Sequence, residues 1–396
     1  MFRNFRSALF ASFWSVPAVW AMLLCGGVMP CALEAQSNPA YADAIPRSRE
    51  ADDLARYVAG LPGRPGSPFI ALEPDPAWID HRQAMNAAWA NAERDRLAGL
   101  RDFQQKELTS GSLREAPVFY PFGGPDALTA TLYFPHSPEY VLVGLEPSGT
   151  APAFASIQKK DQRVFLGSLR SAMASEIGHS FFITREMDRQ FRGQVTDGLL
   201  VPVLHELVRT GHTILGFRYI RLNESGKVIP REANYHAPGK IGNKGFEVEY
   251  QEDANRSVHR LSYFTVNLSD EYLRQDSQFL SYMAGRRGVV TLFKATSYMP
   301  HHRNFSRIRA AVLENSSAIL QDDSGIPFHF FGEGGWSVKL YGEYTRPYGS
   351  FRWLEQPDLR KAYVAGAKPL SVRVGYGYAR VPSNLLLAER VHLARK

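Results

Sequence analysis

From residue 116 onward, short apolar segments alternate with helical segments, and this alternation restricts the possible folds more than any other feature of the chain. After a first strand at PVFYPF (117–122), further strands are predicted at 139–147, 212–222, 288–298 and 317–323. Strands that alternate with helices form a mainly parallel sheet with helices on both faces. We therefore expect an α/β domain at 116–396 built on a mainly parallel, Rossmann-like sheet.

Two segments of this region have a different periodicity. GFEVEYQED (245–253) and VHRLSYFTVNL (258–268) alternate apolar and polar residues with period two, which is typical of antiparallel strands. They predict an antiparallel hairpin within an insertion at about 223–268. Two further strands, at 336–347 and 369–377, are predicted to complete the domain.

The region before the domain divides into two parts. Residues 36–72 are rich in Pro, Gly, Ala and Ser, and this composition predicts a linker or a strap over the surface. Residues 73–115 place Trp78, Met85 and Trp89 at helical spacing. They are therefore expected to form an N-terminal helical extension.

The first residues indicate an exported protein. Arg3 and Arg6 precede an apolar stretch at 8–24, and small residues follow, which is the pattern of a signal peptide spanning 1–35. An uncleaved membrane anchor is the alternative, and it would provide the only expected membrane contact. Both cysteines of the chain lie in this segment. A processed, periplasmic or secreted chain would therefore contain neither disulfides nor thiolate metal sites.

The charge pattern argues against nucleic acid as a partner. The formal net charge is +7, but the 46 basic residues are scattered along the 396-residue chain rather than clustered. Proteins that bind nucleic acid concentrate their basic residues on one face or one helix. A small polar ligand is compatible with this sequence, and no protein partner or cofactor is indicated.

Two resemblances can be drawn. The five strand–helix steps and the terminal strand pair, over about 116–380, resemble the organisation of class I methyltransferase-like Rossmann domains. The segments GLEP, SYMPH and ILQDDSGIP resemble an uncharacterised family of exported bacterial proteins. The first resemblance implies a fold and the second implies export, but neither implies a reaction.

Polar residues are found where the predicted strands end. In an open parallel sheet, ligands bind outside the carboxyl ends of the strands. The ligand-binding candidates at these ends are Gly123, Gly124, Asp126, Glu146, Ser297 and Tyr298. The catalytic candidates are Lys294, His301, His302, Asp322 and Asp323.

The turn after the first strand is not the G-x-G-x-x-G sequence of dinucleotide-binding proteins. Asp126 falls in the first turn of the next helix, where its charge would repel a pyrophosphate. If Asp126 contacts a ligand, we expect a hydroxyl, an amine or a cation. Glu146 could bind a sugar diol. The alternatives are an ordinary helix start for Asp126 and a surface carboxylate for Glu146.

Asp322 and Asp323 are candidates for a general base, a ligand for a hard cation, or a receptor for a hydroxyl. Their alternative is a turn in which the carboxylate accepts hydrogen bonds from the following backbone. His301 or His302 could act as a general acid or base, or face solvent. Lys294 lies inside a predicted strand and must reach a polar pocket or pair with a carboxylate.

These residues suggest an exported enzyme acting on a small polar or hydroxylated substrate at an acid-lined crevice. The alternative is a non-catalytic exported protein that binds a ligand or a partner on the same scaffold. Methyl transfer suits an acid-lined site because the methyl donor is cationic, but export separates the protein from a cytoplasmic cofactor. A metal-dependent hydrolase would require several carboxylates and a histidine to converge on one ion.

Overall fold

The computed structural model describes residues 44–179, 198–233, 243–332, 335–376 and 383–391. The predicted signal peptide lies outside these residues, as do parts of the predicted helix at 183–209 and of the predicted strand at 369–377. Within the described part of the chain, no helix is both long and apolar enough to cross a bilayer.

The described residues form a ten-stranded sheet in the order β4-β3-β5-β6-β2-β1-β7-β8-β10-β9. The strands are β1 (Val118–Tyr120), β2 (Glu139–Gly144), β3 (His212–Leu222), β4 (Val228–Pro230), β5 (Lys244–Glu252), β6 (Val258–Thr265), β7 (Val289–Phe293), β8 (Ser316–Gln321), β9 (Trp336–Gly342) and β10 (Asn384–Arg390). The five central strands, β6-β2-β1-β7-β8, run parallel to one another. The remaining neighbours are antiparallel.

The α/β class is confirmed, but the sheet is mixed rather than mainly parallel. Contrary to its expected place in the parallel series, β3 pairs antiparallel with β5 and lies outside the central strands. β6 is part of the expected hairpin insertion, but it pairs parallel with β2 in the centre of the sheet. Periodicity identifies strands but does not determine which strands become neighbours.

The last strand also differs from the prediction. The described residues of the predicted strand at 369–377 are not in a strand, whereas Asn384–Arg390 forms β10. β10 pairs antiparallel with both β8 and β9 and therefore separates them. Leu385, Leu386 and Leu387 are all buried. A continuous apolar run of this kind is typical of a strand covered on both faces.

Helices pack on both faces of the sheet. The described α-helices are Arg49–Val58, Pro76–Ala92, Ala98–Glu107, Gly111–Arg114, Ala127–Tyr133, Phe154–Gln158, Gln162–His179, Leu200–Arg209, Asp270–Gln275, Gln278–Ala284, Ser306–Asn315 and Pro357–Gly366. Successive side chains of a strand point to opposite faces. In β1, Val118 and Tyr120 accordingly belong to one apolar core and Phe119 belongs to the other.

The predicted linker at 36–72 contains ordered structure within its described part. The helix Arg49–Val58 buries Leu54, Ala55 and Val58. The buried carboxylate of Asp52 accepts a hydrogen bond from the backbone N–H of Ile214, at 3.0 Å. This segment is therefore attached to β3 by a buried hydrogen bond as well as by apolar packing.

Candidate ligand-binding site at the ends of four strands

A cavity of about 160 Å³ lies at the carboxyl ends of β1, β2, β6 and β7. β1 is flanked by β2 on one side and by β7 on the other. The chain passes from β1 to β2 and later from β7 to β8, so the connections diverge between β1 and β7. Such a divergence point is where open α/β sheets bind ligands.

Gly124 forms one wall of the cavity with bare backbone. Its φ is +59°, in the left-handed region that glycine adopts without strain, and its N–H donates to the carbonyl of Val143 at 3.2 Å. Gly144 faces it from the end of β2. A Cβ on Gly144 would lie 2.5 Å from Glu146 Oε2 and 3.0 Å from the Cα of Gly124. The two strand ends can approach this closely because Gly144 lacks a side chain.

Glu146 is a carboxylate at the rim of this cavity and is only 6% exposed. Its Oε2 accepts a hydrogen bond from the backbone N–H of Leu145 at 3.1 Å and lies 3.5 Å from the hydroxyl of Tyr263. The hydroxyls of Tyr263 and Thr265 donate to its backbone carbonyl at 2.9 and 2.8 Å. These bonds from β6 fix the position of the residue and of its carboxylate.

The loop after β7 forms the opposite wall and is strained. Ala295, Ser297 and Tyr298 have φ values of 50°, 55° and 56°, and Phe122 across the cavity has a φ of 63°. Residues with side chains avoid this region, at a cost of about 1–3 kcal/mol each. Surrounding structure has to hold such a conformation in place. Clustered strain of this kind is characteristic of binding and catalytic sites.

Three side chains hold the strained loop by its backbone N–H groups. Asp322 Oδ2 accepts from Ala295 at 2.8 Å, and Ser324 Oγ accepts from Thr296 at 2.9 Å. The hydroxyl of Tyr376 accepts from the N–H of Ser297 at 2.9 Å and donates to the carbonyl of Ala295 at 3.0 Å. The donors of three successive residues are thereby all satisfied by side chains.

The two adjacent carboxylates support this loop and lie outside the cavity lining. Asp322 also accepts from the N–H and the hydroxyl of Ser324, so it forms the turn considered as its structural alternative. Asp323 accepts from the hydroxyl of Tyr298 at 2.5 Å and from Asn384 at 3.3 Å. Burial raises the pKa of Asp322, and burial together with the charge of Asp322 raises the pKa of Asp323 to about 7.

His301 packs its ring edge-on against Tyr298, with the ring centroids 5.2 Å apart. Burial lowers the pKa of His301 to about 4, although a hydrogen bond to the backbone of Asp323 opposes this shift. His302 instead packs against Trp353, with a centroid distance of 5.4 Å. The two neighbouring histidines therefore point to different surroundings, and neither lines the cavity.

Asp126 and Lys294 form a buried ion pair, and neither residue belongs to the cavity lining. Asp126 also accepts from the N–H of Thr129 at 2.9 Å and from the hydroxyl of Tyr120 at 2.8 Å. Burial raises the pKa of Asp126, but the Lys294 ammonium and these hydrogen bonds outweigh it and hold the pKa below its ordinary value. The charge of Asp126 is thus neutralised inside the protein.

The start of the helix Ala127–Tyr133 is occupied by two of the protein's own carboxylates. Asp126 accepts from Thr129, and the buried Glu206 accepts from the backbone N–H of Leu128 at 2.9 Å. Dinucleotide-binding proteins present these N–H groups to a pyrophosphate. In this protein those groups are already hydrogen-bonded.

Four of the eleven predicted site residues line the cavity, namely Gly123, Gly124, Glu146 and Ser297. The other seven, Asp126, Lys294, Tyr298, His301, His302, Asp322 and Asp323, lie outside its lining. Sequence reasoning missed Phe122, Asn267 and Phe305 in the lining and Tyr376 behind the loop. No sequence signal identifies Tyr376, because it lies 81 residues after the carbonyl it binds.

Among the described residues, no group of three or more His, Cys, Asp or Glu side chains is placed to hold a metal ion. No protein-family model, curated protein or solved structure matches this chain. Its function therefore has to be inferred from the geometry of the cavity and its surroundings.

Proposed function

We propose that this protein binds a small ligand of the nucleoside class, with vicinal hydroxyls and an apolar ring, at the ends of β1, β2, β6 and β7. The observation that carries the proposal is the position of Glu146. Its carboxylate lies beside bare glycine backbone at the rim of a cavity with otherwise largely apolar walls. A carboxylate in that position can accept hydrogen bonds from two hydroxyls of one sugar.

The position of Glu146 agrees with the general rule for nucleotide-binding α/β sheets. In those sheets an acidic residue about 20 positions after the glycine turn binds the ribose hydroxyls. Glu146 follows Gly124 by 22 residues and lies just beyond the end of β2. The hydrogen bonds from Tyr263 and Thr265 fix its backbone before any ligand arrives. Such preorganisation reduces the entropic cost of binding.

The rest of the cavity suits an apolar ring. Its walls include Phe122, Val143, Val266, Met299 and Phe305. Phe122 stacks on Phe293 and meets Phe305 edge-on, so part of this wall is rigid. A purine or pyrimidine presents flat faces that pack against such side chains.

A phosphate is not part of the proposed ligand. The described residues that line the cavity include neither lysine nor arginine. The N–H groups of Leu128 and Thr129 are already bound by Glu206 and Asp126. A phosphate at this rim would also face the carboxylate of Glu146, so we expect the unphosphorylated nucleoside to bind better.

The strand order supports a methyltransferase-like Rossmann arrangement. Numbered in chain order without the outer strands β3, β4 and β5, the remaining strands follow the order 3-2-1-4-5-7-6. The first five positions follow the Rossmann order, and the seventh strand lies antiparallel between the fifth and the sixth. This order resembles that of class I methyltransferase-like domains, whose methyl donor contains a nucleoside with a free diol.

Binding, rather than a particular reaction, is the function that we propose. The five side chains predicted to be catalytic lie outside the cavity lining, and one of them, Asp322, holds the lining residue Ala295 by its backbone N–H. This placement favours the non-catalytic alternative. S-adenosylmethionine is nevertheless included among the test ligands, because its nucleoside has the required diol.

The experiment is isothermal titration of the protein with adenosine, 2′-deoxyadenosine, AMP and S-adenosylmethionine. Adenosine should bind, and loss of one hydroxyl should weaken binding about 10-fold or more, because a hydrogen bond to a charged group contributes about 1.5–3 kcal/mol. In Glu146→Gln the difference between adenosine and 2′-deoxyadenosine should shrink markedly. AMP should bind no better than adenosine.

The matched control is Glu314→Gln, which removes an exposed carboxylate from a surface ion pair. It should leave every titration unchanged. The proposal is wrong if none of the four compounds binds, or if Glu146→Gln distinguishes the two nucleosides as well as the wild type does.

We also propose that the chain is exported, on the basis of Arg3, Arg6 and the apolar stretch at 8–24. Cell fractionation of the full chain and of a chain lacking residues 1–35 tests this. The full chain should be found outside the cytoplasm, and the shortened chain should remain inside. Equal distribution of the two chains would contradict export.

A further inference from the structure

A short turn near the strained loop exposes two large aromatic side chains. Residues Gly349–Leu354 form a 3₁₀ helix that follows Tyr348. Side chains three residues apart in such a helix lie on the same face, and here Phe351 and Leu354 face the protein. Trp353 is 69% exposed and Tyr348 is 48% exposed. The turn therefore packs with one face and presents a tryptophan and a tyrosine to solvent.

The turn rests on the loop that follows β7. The ring of Phe351 lies 5.0 Å from the ring of Tyr298 and 6.1 Å from that of Tyr376. The exposed ring of Trp353 packs against His302, with the centroids 5.4 Å apart. These contacts fix the position of the turn on the protein while most of the indole stays in solvent.

The contact between Trp353 and His302 brings together two segments without acidic residues. Residues 299–309 and 346–353 contain five arginines and neither aspartate nor glutamate. Arg303 and Arg352 are each adjacent in sequence to a residue of that contact, and both are exposed. The two segments are far apart in the chain, so the basic cluster forms only in the folded protein.

The acidic residues around these segments do not reverse their charge. Glu355 pairs with two arginines, Arg346 and Arg360. Asp270 accepts hydrogen bonds from the hydroxyl of Ser306 and from the backbone N–H of Arg307. The surface therefore combines exposed aromatic side chains with a positive charge, and the whole chain has a net charge of the same sign.

We propose that this surface, formed by residues 299–309 and 346–353, binds peripherally to an anionic lipid bilayer. Tryptophan and tyrosine concentrate at the boundary between membrane and water, because one end of each side chain is apolar and the other is polar. Arginines next to them are attracted to the negative head groups. Trp353 and Tyr348 would lie at the level of the head groups, with Arg303 and Arg352 at the lipid phosphates.

Single-stranded nucleic acid is the other polyanion that aromatic and basic side chains can bind. Its binding proteins follow the strand along a groove. Tyr348, Arg352 and Trp353 instead lie on an exposed turn, outside the lining of the nucleoside cavity. This shape favours a broad surface such as a bilayer.

The experiment is co-sedimentation of the chain with lipid vesicles. A chain lacking residues 1–35 is used, because the apolar stretch at 8–24 would itself bind lipid, and the compact unit Ile45–Lys396 remains complete in it. The protein should bind vesicles that contain phosphatidylglycerol about 10-fold or more tightly than vesicles of phosphatidylcholine alone. Raising the salt concentration should weaken the binding, because salt screens the charges.

Substitutions in the surface should separate its two components. Trp353→Ala should weaken binding to the phosphatidylglycerol vesicles about 10-fold or more, because the indole no longer buries apolar area in the interface. Arg303→Gln and Arg352→Gln should each weaken it about 5-fold, because each removes one positive charge. Val164→Ala and Arg287→Gln alter a 60% exposed valine and an 80% exposed arginine elsewhere, and neither should change the binding.

Circular dichroism and the melting temperature show whether each variant is folded, and the substituted side chains are exposed. None of them lines the nucleoside cavity, so this test does not depend on adenosine binding. The proposal is overturned if the phosphatidylglycerol vesicles do not bind, or if folded Trp353→Ala binds them as tightly as the wild type. It is also overturned if a single-stranded oligonucleotide binds more tightly than the vesicles and displaces them.

Discussion

The ammonium of Lys294 and the carboxylate of Asp126 form an ion pair whose side chains are only 3% and 1% exposed. Asp126 precedes the helix that follows β1, and Lys294 follows the last residue of β7. The pair therefore joins the two strands between which the connections diverge. Lys294 also donates to the hydroxyl of Thr129 at 2.7 Å, so it contacts the same helix a second time.

Removing the ammonium should be strongly destabilising. In Lys294→Met the buried charge of Asp126 has no opposite charge beside it, and the free energy of unfolding should fall by about 3–5 kcal/mol. The double variant Lys294→Met/Asp126→Asn should recover part of that loss because it no longer buries an isolated charge. Urea unfolding measures both values.

The control for this pair is Lys339→Met. Lys339 is 45% exposed and pairs with Glu389, so its replacement should cost less than about 1 kcal/mol. If Lys294→Met lowered the free energy of unfolding as little as Lys339→Met does, the buried pair would not hold β1 and β7 together.

The stability should depend on pH through Asp323. Burial and the charge of Asp322 raise the pKa of Asp323 from 3.8 to about 7 in the folded protein. Between about pH 4 and about pH 7, Asp323 keeps a proton in the folded chain that it releases in the unfolded chain. The free energy of unfolding therefore falls as the pH rises through this range. Above about pH 7, the contribution of Asp323 no longer changes with pH.

Asp323→Asn should remove this contribution. The difference in the free energy of unfolding, variant minus wild type, should therefore increase as the pH rises from about 4 to about 7. Burial lowers the pKa of His301 to about 4, so His301 makes the free energy of unfolding rise with pH in this range. It does so in both proteins, and its contribution cancels in the difference. Urea unfolding at several pH values measures that difference. A difference that does not change with pH would contradict the raised pKa.

The hydroxyl of Tyr376 should contribute both to the stability of the protein and to its affinity for adenosine. Tyr376→Phe removes both hydrogen bonds that hold Ala295 and Ser297. We expect a loss of about 1–3 kcal/mol in the free energy of unfolding and a decrease of about 10-fold in the affinity for adenosine, because the strained loop can relax.

Tyr363→Phe is the matched control for this prediction. It also removes a buried hydroxyl that binds backbone, here the carbonyl of Leu385 at 2.8 Å, but it does not touch the cavity. It should lower stability by a similar amount and leave adenosine binding intact. Equal effects of the two variants on adenosine affinity would mean that Tyr376 has no specific influence on the cavity.

Gly144 should not tolerate a side chain. A Cβ there would lie 2.5 Å from Glu146 Oε2 and 2.7 Å from the hydroxyl of Tyr263. Gly144→Ala should therefore displace the carboxylate, reduce the free energy of unfolding by about 1–3 kcal/mol and weaken adenosine binding. Gly366→Ala, which adds a methyl group with nothing within 4 Å, should do neither. Titration and urea unfolding of the two variants make the comparison.

Part of the candidate site could be predicted from local sequence. Gly124, Glu146 and Ser297 lie at or just after the ends of predicted strands, and the ends of neighbouring parallel strands meet at one edge of a sheet. The prediction that Lys294 needs a polar environment or a carboxylate also follows from chemistry, since an isolated buried ammonium is unfavourable. That its partner is Asp126 became visible only in three dimensions.

Other features depended on contacts between distant residues. Ala295 and Ser297 are held in left-handed conformations by Asp322 and Tyr376, which lie 27 and 79 residues further along the chain. No local propensity indicates such a conformation. Asp322 and Asp323 therefore support the loop, through Ala295 and Tyr298 respectively, although their position after a strand suggested a role in the crevice itself.

The sequence alone determined the α/β class and the strand ends at which a site should be sought, because hydrophobic periodicity and turn residues act over a few neighbouring positions. Only the tertiary structure decided that β6 pairs parallel with β2, that β10 separates β8 from β9, and that the acidic residues divide between the cavity rim and its support. Strand pairing, burial and side-chain hydrogen bonds depend on residues far apart in the chain. Those distant contacts are set by the packing of the whole sheet rather than by any local pattern.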